Sequence, residues 1–255
     1  MLSVICIIQA RMGSSRLPGK VMLDLAGETV ISHVIRRCKA IPSVSKVICA
    51  TPNNSANDPL VALAKDCGAE TFRGSEGDVL ARYYLAAKPH NPDYVMRVTS
   101  DCPLLDPNVC EDLVQNVISQ GADYGGNGGF PHGLDCEVMT FKALEDAYNT
   151  ATHDGDREHV TLWIKRQDHY KTAHIMCPTP GNHDHRWVLD YPEDRTFMDA
   201  LFKYLPAAPA MPTWQEVVAV VDKHPELKAL NASQATMWAD ANQAIMADAV
   251  KDDAK

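Results

Sequence analysis

The amino-acid sequence predicts an α/β protein built around a mostly parallel sheet. In the first half of the 255 residues, short apolar runs alternate with segments whose apolar residues recur at helical spacing. The first of these runs, VICIIQ at 4–9, is continuously apolar, which is typical of a strand covered on both faces. Strands that alternate with helices in this way form parallel βαβ units. A chain of this length can bury the core that such a fold requires.

The first half contains four predicted strands, at 4–9, 46–51, 70–72 and 93–100. Each is followed by a predicted helix, and these helices run from about Thr29 to Cys38, from Asp58 to Gly68, from Ser75 or Asp78 to Ala87, and from Asp106 to Gly121. Hydroxyl and acidic residues at helix starts accept hydrogen bonds from free backbone amides, and glycine favours the left-handed conformation at helix ends. The local signals therefore define these boundaries.

The second half is less regular. We expect a flexible connection at 125–133, a strand at 134–140, helices at 141–150 and 156–166, strands near 170–177 and 186–190, and a helix at 192–205. This arrangement predicts one domain over residues 1–235, with an insertion at about 125–180. A helical tail is predicted at 236–255, because Met237, Trp238, Ala241, Ile245 and Ala249 form one stripe at helical spacing.

Composition narrows the classes of function. The formal net charge is −9, which argues against a general nucleic-acid-binding protein. Residues 1–50 nevertheless contain seven Lys or Arg and only two acids, so the chain has a basic N-terminal segment that suits a small polyanion. Eight scattered cysteines without a C-x-x-C pair indicate a reducing, cytoplasmic environment. We expect no membrane span and no signal peptide.

The stretch QARMGSSRLPGK at 9–20 directly follows the first predicted strand. It is not a P-loop, since five residues instead of four separate Gly13 from Gly19, and Val21 replaces the hydroxyl residue. Backbone amides near Gly13 and Ser14 can approach an anion. The side chains of Arg11, Arg16 and Lys20 supply positive charge for polyphosphate oxygens. The alternative interpretation is a solvated basic loop.

Two aspartates follow predicted strands and are candidate metal ligands. Asp101 lies just beyond the strand at 93–100, and Asp190 ends the segment RWVLD. Ligands bind at the carboxyl ends of parallel strands, and Mg²⁺ prefers carboxylate and phosphate oxygens. The alternative for Asp101 is a turn or N-cap role. For Glu193 and Asp194 we prefer such a structural role, in the first turn of the next helix.

Six segments of the chain resemble a known family over residues 3–205. They are QARMGSSRLPGKVM, FRGSEGDVLARYY, RVTSDCPLLDP, PHGLDCEVMT, REHVTLWI and RWVLDYPEDRTFM. In this order they resemble the cytidylyltransferase-like proteins of the spore-coat polysaccharide biosynthesis protein F type. These are relatives of the acylneuraminate and 3-deoxy-manno-octulosonate cytidylyltransferases. The resemblance implies a Rossmann-like fold of the A-type glycosyltransferase class, with CTP and Mg²⁺ as ligands, and a homodimer built through the inserted second half.

The resemblance also implies residue roles. On the phosphate side, Arg11 and Lys20 resemble the triphosphate-binding cations, with backbone contacts from Gly13 and Ser14 and a less defined role for Arg16. Asp101 and Asp190 resemble the two metal ligands. The nucleotide-contact candidates on the base side are Ser75, Asp78 and Arg82, although Asp78 has an alternative role as a helix cap. Thr99 is a further candidate for contact with the nucleotide. The acceptor candidates are His132, Asp135 and Glu137. No role is assigned to Arg157, Glu158 and His159.

The reaction that follows is transfer of CMP from CTP to a sugar acid or similar small acceptor, with release of pyrophosphate, in surface-glycan biosynthesis. Two other functions stay open. A glycosyltransferase of the same fold class usually has a D-x-D metal motif, and the sequence near Asp101 reads SDCP. A protein that binds a nucleotide without turnover has little need for both aspartates. A zinc site at His183 and His185 lacks two further obvious ligands.

Overall fold

The computed structural model describes residues 2–179 and 181–234. Its first half contains β1 (Val4–Gln9), β2 (Asp24–Leu25), β3 (Glu28–Thr29), α1 (Val30–Lys39), β4 (Val44–Pro52), α2 (Asp58–Asp66), β5 (Glu70–Gly74), α3 (Val79–Ala87), β6 (Tyr94–Thr99) and α4 (Pro107–Gln120). The four strands predicted in this half are confirmed as β1, β4, β5 and β6. The four predicted helices are present as well, and β2 and β3 add a small antiparallel hairpin before α1.

Capping residues define the helices of the first half, as the sequence predicts. The side chains of Thr29, Asp78 and Asp106 each accept a hydrogen bond from a backbone amide in the first turn of α1, α3 and α4. Gly121 ends α4 in the left-handed conformation, with φ of 57°. The start of α2 differs by one residue, because Asn57 is its N-cap and Asp58 lies in its first turn.

The second half contains β7 (Tyr124–Gly128), β8 (Glu137–Thr140), α5 (Phe141–Thr150), α6 (Asp154–His159), α7 (Leu162–Lys165), β9 (Ile175–Met176), α8 (Pro192–Leu201), α9 (Trp214–Lys223) and α10 (Glu226–Ala229). One seven-stranded sheet has the order β5-β4-β1-β6-β8-β7-β9. Pairs β1–β4, β1–β6, β4–β5 and β7–β9 are parallel, whereas β8 is antiparallel to both of its neighbours. The expected mostly parallel sheet is confirmed.

The predicted flexible connection at 125–133 is wrong in its first part, which is strand β7. Gly125 serves close packing. A Cβ on Gly125 would lie 2.2 Å from the carbonyl oxygen of Ala173, so only glycine fits where the neighbouring segment crosses. A glycine in this run therefore marks a close tertiary contact that leaves no room for a side chain, and it does not mark a turn.

Four other predicted elements differ from the structure. The segment 186–190 is not a strand of the sheet, and it forms an isolated β-bridge between Arg186 and His132. The helix predicted at 156–166 is two short helices, α6 and α7, separated at Val160 with a positive φ of 65°. The strand expected near 170–177 is reduced to β9, and the helix predicted at 192–205 ends at Leu201.

Apolar side chains cover both faces of the sheet. One face packs against α1, α2 and α4, and the other packs against α3, α5 and α7. A third cluster surrounds the fully buried Trp187 and joins α8 and α9 to the hairpin of β2 and β3. The polar residues at the carboxyl ends of β1 and β6 lie beside this third cluster. The predicted tail at 236–255 lies outside the described residues.

Candidate active site

The loop after β1 is folded back on itself by its own backbone. The amide of Gly19 donates to the carbonyl of Met12 at 3.2 Å, and the amide of Met12 donates to the side chain of Asn57 at 2.9 Å. The hydroxyl of Ser14 accepts from the amide of Leu17 at 3.3 Å. Gly19 has a φ of 67°, a conformation that glycine adopts without strain. These contacts set the position of the residue that follows, Lys20.

Lys20 joins the two aspartates that were predicted as metal ligands. Its Nζ donates to Oδ2 of Asp101 at 2.7 Å and to Oδ1 of Asp190 at 2.9 Å. The Lys20 side chain is only 11% exposed. Residues separated by 81 and 170 positions in the sequence therefore meet at the carboxyl end of β1. This convergence of a cation and two carboxylates is the centre of the candidate site.

The charges of this centre reinforce one another. Burial alone would raise the pKa of Asp101, but the charge of Lys20 and its hydrogen bond outweigh burial and hold the pKa well below its usual range. Burial alone would lower the pKa of Lys20, and the charges of Asp101 and Asp190 raise it instead. Asp101 is therefore ionised and Lys20 is protonated throughout the neutral pH range.

Arg16 and Arg11 lie on different sides of this centre. The guanidinium of Arg16 forms an ion pair with Asp190 and lies 5.1 Å from the ring centroid of Tyr191. Arg11 is 3.9 Å from the carboxylate of Glu76, and both side chains are more than half exposed. Gly13 faces the same glutamate. The structure thus brings Arg16 to the two aspartates, whereas Arg11 and Gly13 lie toward the segment that precedes α3.

A buried ion pair holds Asp190 in place. Arg186 donates two hydrogen bonds of 2.8 Å to the two carboxylate oxygens of Asp194, and the two side chains are 2% and 0% exposed. Asp194 Oδ2 also accepts from the backbone amides of Asp190 and Tyr191, at 3.0 and 2.9 Å. The side-chain amide of Asn231 donates to Asp194 Oδ1 as well. The sequence indicated only a first-turn role for Asp194. The sequence signal for this contact was an acidic residue at the third position of α8, but nothing in the sequence indicated that Arg186 and Asn231 would be its partners.

The backbone of Asp101 is tied directly to the segment that carries Asp190. The amide of Leu189 donates to the carbonyl oxygen of Asp101 at 2.8 Å. Thr99, predicted to contact the nucleotide, has its hydroxyl 3.2 Å from Cys102 Sγ, and its hydrogen bonding helps lower the pKa of Asp101. Thr99 therefore supports Asp101 in this structure, and its contact with a nucleotide stays a prediction.

The base-side candidates form a connected group at the start of α3. The hydroxyl of Ser75 accepts from the amide of Asp78, and Asp78 Oδ1 caps the helix by accepting from the amide of Ala81 at 2.8 Å. Arg82 donates to the carbonyl of Ser75 at 2.8 Å. Burial lowers the pKa of Arg82, and its Nε has no hydrogen-bond partner. The helix-cap alternative for Asp78 is thus observed, and nucleotide contact by this group stays a prediction.

The structure gives Arg157 a contact that the sequence did not suggest. Its Nε donates to Asp78 Oδ2 at 3.0 Å, and its Nη1 donates to the carbonyl oxygen of Tyr148 at 2.8 Å. Arg157 therefore connects α6 with the N-terminus of α3 and the last turns of α5. Glu158 is exposed and His159 is half-buried.

The three acceptor candidates lie in two places. His132 and Asp135 are near Asp101, since the charges of both aspartates act on the His132 imidazole. Burial lowers the pKa of His132 and outweighs these two opposing charges. The Nδ1 atom of His132 is 3.2 Å from a guanidinium nitrogen of Arg186. Glu137 lies in the sheet on β8 and is buried. Its carboxylate accepts from Arg97 at 2.7 Å, Lys165 at 2.7 Å and Thr161 at 2.9 Å, and from the Tyr124 hydroxyl.

The contacts of Glu137 are those of a structural ion-pair cluster. Burial opposes ionisation, but Arg97 and then Lys165 outweigh it and lower the pKa of Glu137 to about 2. The carboxylate is satisfied by donors inside the protein, and the structure does not bring it to the pair formed by Asp101 and Asp190. Contact of His132, Asp135 or Glu137 with an acceptor stays a prediction.

Among residues 2–179 and 181–234, no cluster of three or more His, Cys, Asp or Glu side chains is arranged to hold a metal ion. His185, weighed above as a zinc ligand, is buried and packs against Trp187. Burial lowers the pKa of His185 to about 4, so its imidazole is neutral at pH 7. Asp101 and Asp190 both pair with one cation, the ammonium group of Lys20.

Comparison with known proteins decides the class of enzyme. The cytidylyltransferase family model matches residues 5–244. The chain belongs to the cytidylyltransferase family. Over 230 residues it is 30% identical to the spore coat polysaccharide biosynthesis protein SpsF of Bacillus subtilis (strain 168), with 88% of this chain and 95% of that protein covered. A further match, 33% identical over 117 residues, covers 44% of this chain and 46% of the 3-deoxy-manno-octulosonate cytidylyltransferase of Anaeromyxobacter sp. (strain K).

The solved structures give the same class. A cytidylyltransferase from Leptospira borgpetersenii superposes with a TM-score of 0.82 at 28% identity, covering 89% of this chain and 97% of that one. The expected Rossmann-like nucleotidyltransferase fold and the expected cytidylyltransferase class are both confirmed. A search of the described helices for a membrane span finds none that is long and apolar enough.

Proposed function

We propose that this cytidylyltransferase transfers CMP from CTP to a small anionic, sugar-like acceptor and releases pyrophosphate. The observation that carries the proposal is the meeting of Lys20, Asp101 and Asp190 at the carboxyl end of β1. Open α/β sheets bind ligands at that edge. Membership of the family supports CTP as the nucleotide.

The donor set of this centre fits Mg²⁺. This ion is held in proteins by one or two carboxylates together with waters and substrate phosphates, and it does not need a full cage of side chains. Asp101 and Asp190 are the residues that would hold it, since the carboxylates of both contact one ammonium group. When bound, such an ion polarises phosphate oxygens and lowers the pKa of a coordinated hydroxyl.

The chain itself contributes position and charge. The folded-back loop holds Lys20 and Arg16 beside the two aspartates, where their charges can stabilise negative charge on the phosphates and on departing pyrophosphate. Arg11 and the amides near Gly13 and Ser14 extend the same loop toward the start of α3. Little covalent work is left to side chains in such a reaction, so rate depends on orientation of the two substrates.

A sugar acid is the acceptor class that we favour. His132 and Asp135 lie near Asp101, and Arg186 adjoins His132. The partial match to a 3-deoxy-manno-octulosonate cytidylyltransferase supports an acidic sugar, and the match to a spore coat polysaccharide biosynthesis protein supports a role in surface-glycan biosynthesis. We include a homodimer and a cytoplasmic location in the proposal. The family resemblance supports the homodimer, and eight free cysteines support the location.

The direct test measures pyrophosphate release from each of the four ribonucleoside triphosphates with a panel of sugar acids and Mg²⁺. Release with CTP and one acid supports the proposal. Sugar transfer from a preformed nucleotide sugar would instead indicate a glycosyltransferase, and CTP binding without release would indicate a nucleotide-binding protein without turnover.

A variant pair assigns the site. We expect Asp101→Asn to lower pyrophosphate release by about 10²-fold or more, the scale seen when one preorganised electrostatic group is lost. Asp199→Asn is the matched control, because Asp199 is exposed on α8 and pairs with Arg195 within one helical turn. Equal rates for the Asp101 and Asp199 variants would show that Asp101 is not a metal ligand in the reaction.

A further inference from the structure

Lys20 occupies the position between Asp101 and Asp190 that a divalent cation would share. An ammonium group has three donors and no acceptor, and two of the three are directed at one oxygen of each carboxylate. The three side chains are 11%, 21% and 15% exposed, so water screens the contact only partly. Lys20 is thus bound to the carboxylates as a cation in its own right.

The charges around the two aspartates already balance. Lys20 pairs with both carboxylates, and Arg16 adds a second positive charge on Asp190. A divalent ion that entered while Lys20 stayed in place would meet two cations beside two anions. Lys20 already occupies one oxygen of each aspartate, and Arg16 pairs with the second oxygen of Asp190. The present position of Lys20 therefore opposes metal binding electrostatically.

The basic loop provides another place for the Lys20 ammonium group. Lysine carries a compact charge on a flexible four-carbon stem, so the head group can move while the backbone stays fixed by the contacts of Gly19. A triphosphate lying across this loop would offer Lys20 new anionic oxygens. Movement of one side chain would then exchange carboxylate partners for phosphate partners.

We propose that Lys20 acts as a built-in counter-cation that keeps the divalent metal out of the free enzyme and makes metal binding depend on the nucleotide. The inference rests on the proposed function, because it takes Asp101 and Asp190 as the metal ligands. Such coupling is reciprocal: bound nucleotide strengthens metal binding, and bound metal strengthens nucleotide binding to the same degree. Lys20 is then a positioning residue for the metal as well as a contact for the phosphates.

Mn²⁺ binding to the nucleotide-free protein tests this proposal without an activity assay. The loss of the free-ion electron paramagnetic resonance signal measures the bound Mn²⁺ directly. We expect Lys20→Met to bind Mn²⁺ at least about tenfold more tightly than the wild type, the scale expected when a unit charge a few ångströms from a divalent ion is removed, even at the dielectric constant of water. Lys20→Arg keeps the charge, so its Mn²⁺ affinity is expected to stay within about twofold of the wild-type value.

Two controls assign the new affinity to this site. Lys142→Met removes an exposed lysine that pairs with Asp146 on α5, and it is expected to leave Mn²⁺ binding unchanged. The double variant Lys20→Met with Asp101→Asn is expected to lose the added affinity. If Lys20→Met is less stable without metal because two carboxylates are left close together, a rise in its melting temperature with Mn²⁺ that exceeds the wild-type rise gives the same information.

The outcomes separate this inference from the proposed function. Mn²⁺ affinity of Lys20→Met that is equal to or weaker than that of the wild type overturns the counter-cation role, even when the wild type releases pyrophosphate from CTP. Tighter Mn²⁺ binding in an enzyme that shows no release with any triphosphate keeps the counter-cation role and overturns the proposed reaction.

Discussion

Replacing Asp194 with alanine isolates the contact that positions Asp190. Asp194 is fully buried, and the variant leaves the guanidinium of Arg186 buried without its two 2.8 Å partners. It also removes the acceptor for the backbone amides of Asp190 and Tyr191. Breaking a buried ion pair by removing one partner costs about 3–5 kcal/mol, mainly because the remaining charge is uncompensated.

The same helix supplies the matched control. Asp199 pairs with Arg195 at 2.6 Å, one turn apart on the surface of α8. An exposed pair of this kind contributes only about 0.3–0.5 kcal/mol. We therefore expect the loss in free energy of unfolding to be roughly six to seventeen times larger for Asp194→Ala than for Asp199→Ala. Both variants lose one carboxylate from α8, so the difference between them reports the buried contact.

Urea unfolding at pH 7 measures both free energies, and pyrophosphate release reports the effect on the site. Asp194→Ala is expected to lose activity even where it is fully folded, since the backbone of Asp190 loses its hydrogen-bond acceptor. Asp199→Ala is expected to retain activity. Equal destabilisation of the two variants would refute the conclusion that the Arg186–Asp194 pair holds this edge of the site.

Two further predictions concern the scaffold. Because the folded-state pKa of Glu137 is lowered to about 2, the stability that its carboxylate contributes is complete above its unfolded pKa of about 4.3 and disappears as pH falls toward 2. Glu137→Gln should therefore destabilise the protein at pH 7 and progressively less below pH 4. A difference in urea unfolding between the variant and the wild type that does not change with pH would contradict this. Gly133→Ala is expected to cost about 2 kcal/mol or more, since φ is +112° and a Cβ would lie 2.6 Å from the Trp187 carbonyl oxygen. Gly77→Ala, where a Cβ meets nothing within 4 Å, is the control, and equal melting temperatures would argue against the close approach.

The sequence determined the first half of the fold because the signals there are local. Mostly apolar runs define β1, β4 and β6, and caps such as Thr29 and Asp106 define helices that follow them. The basic loop, Asp101 and Asp190 were recognisable for the same reason, since each lies in a short stretch of consecutive residues, although the strand expected before Asp190 is not formed. Local signals failed where a tertiary contact prevails, as in β7, where Gly125 allows the segment at Ala173 to pack closely.

Only the tertiary structure decided how the candidate site is assembled. The ion pairs of Lys20 with Asp190 and of Arg157 with Asp78 join residues 170 and 79 positions apart, and no local pattern encodes which partners will meet. The same holds for Glu137, whose sequence context suggested the acceptor side but whose carboxylate is held inside the sheet by Arg97 and Lys165. A side chain's chemistry can be read from its type, but its pKa and its partners depend on the burial and charge that the folded chain brings around it.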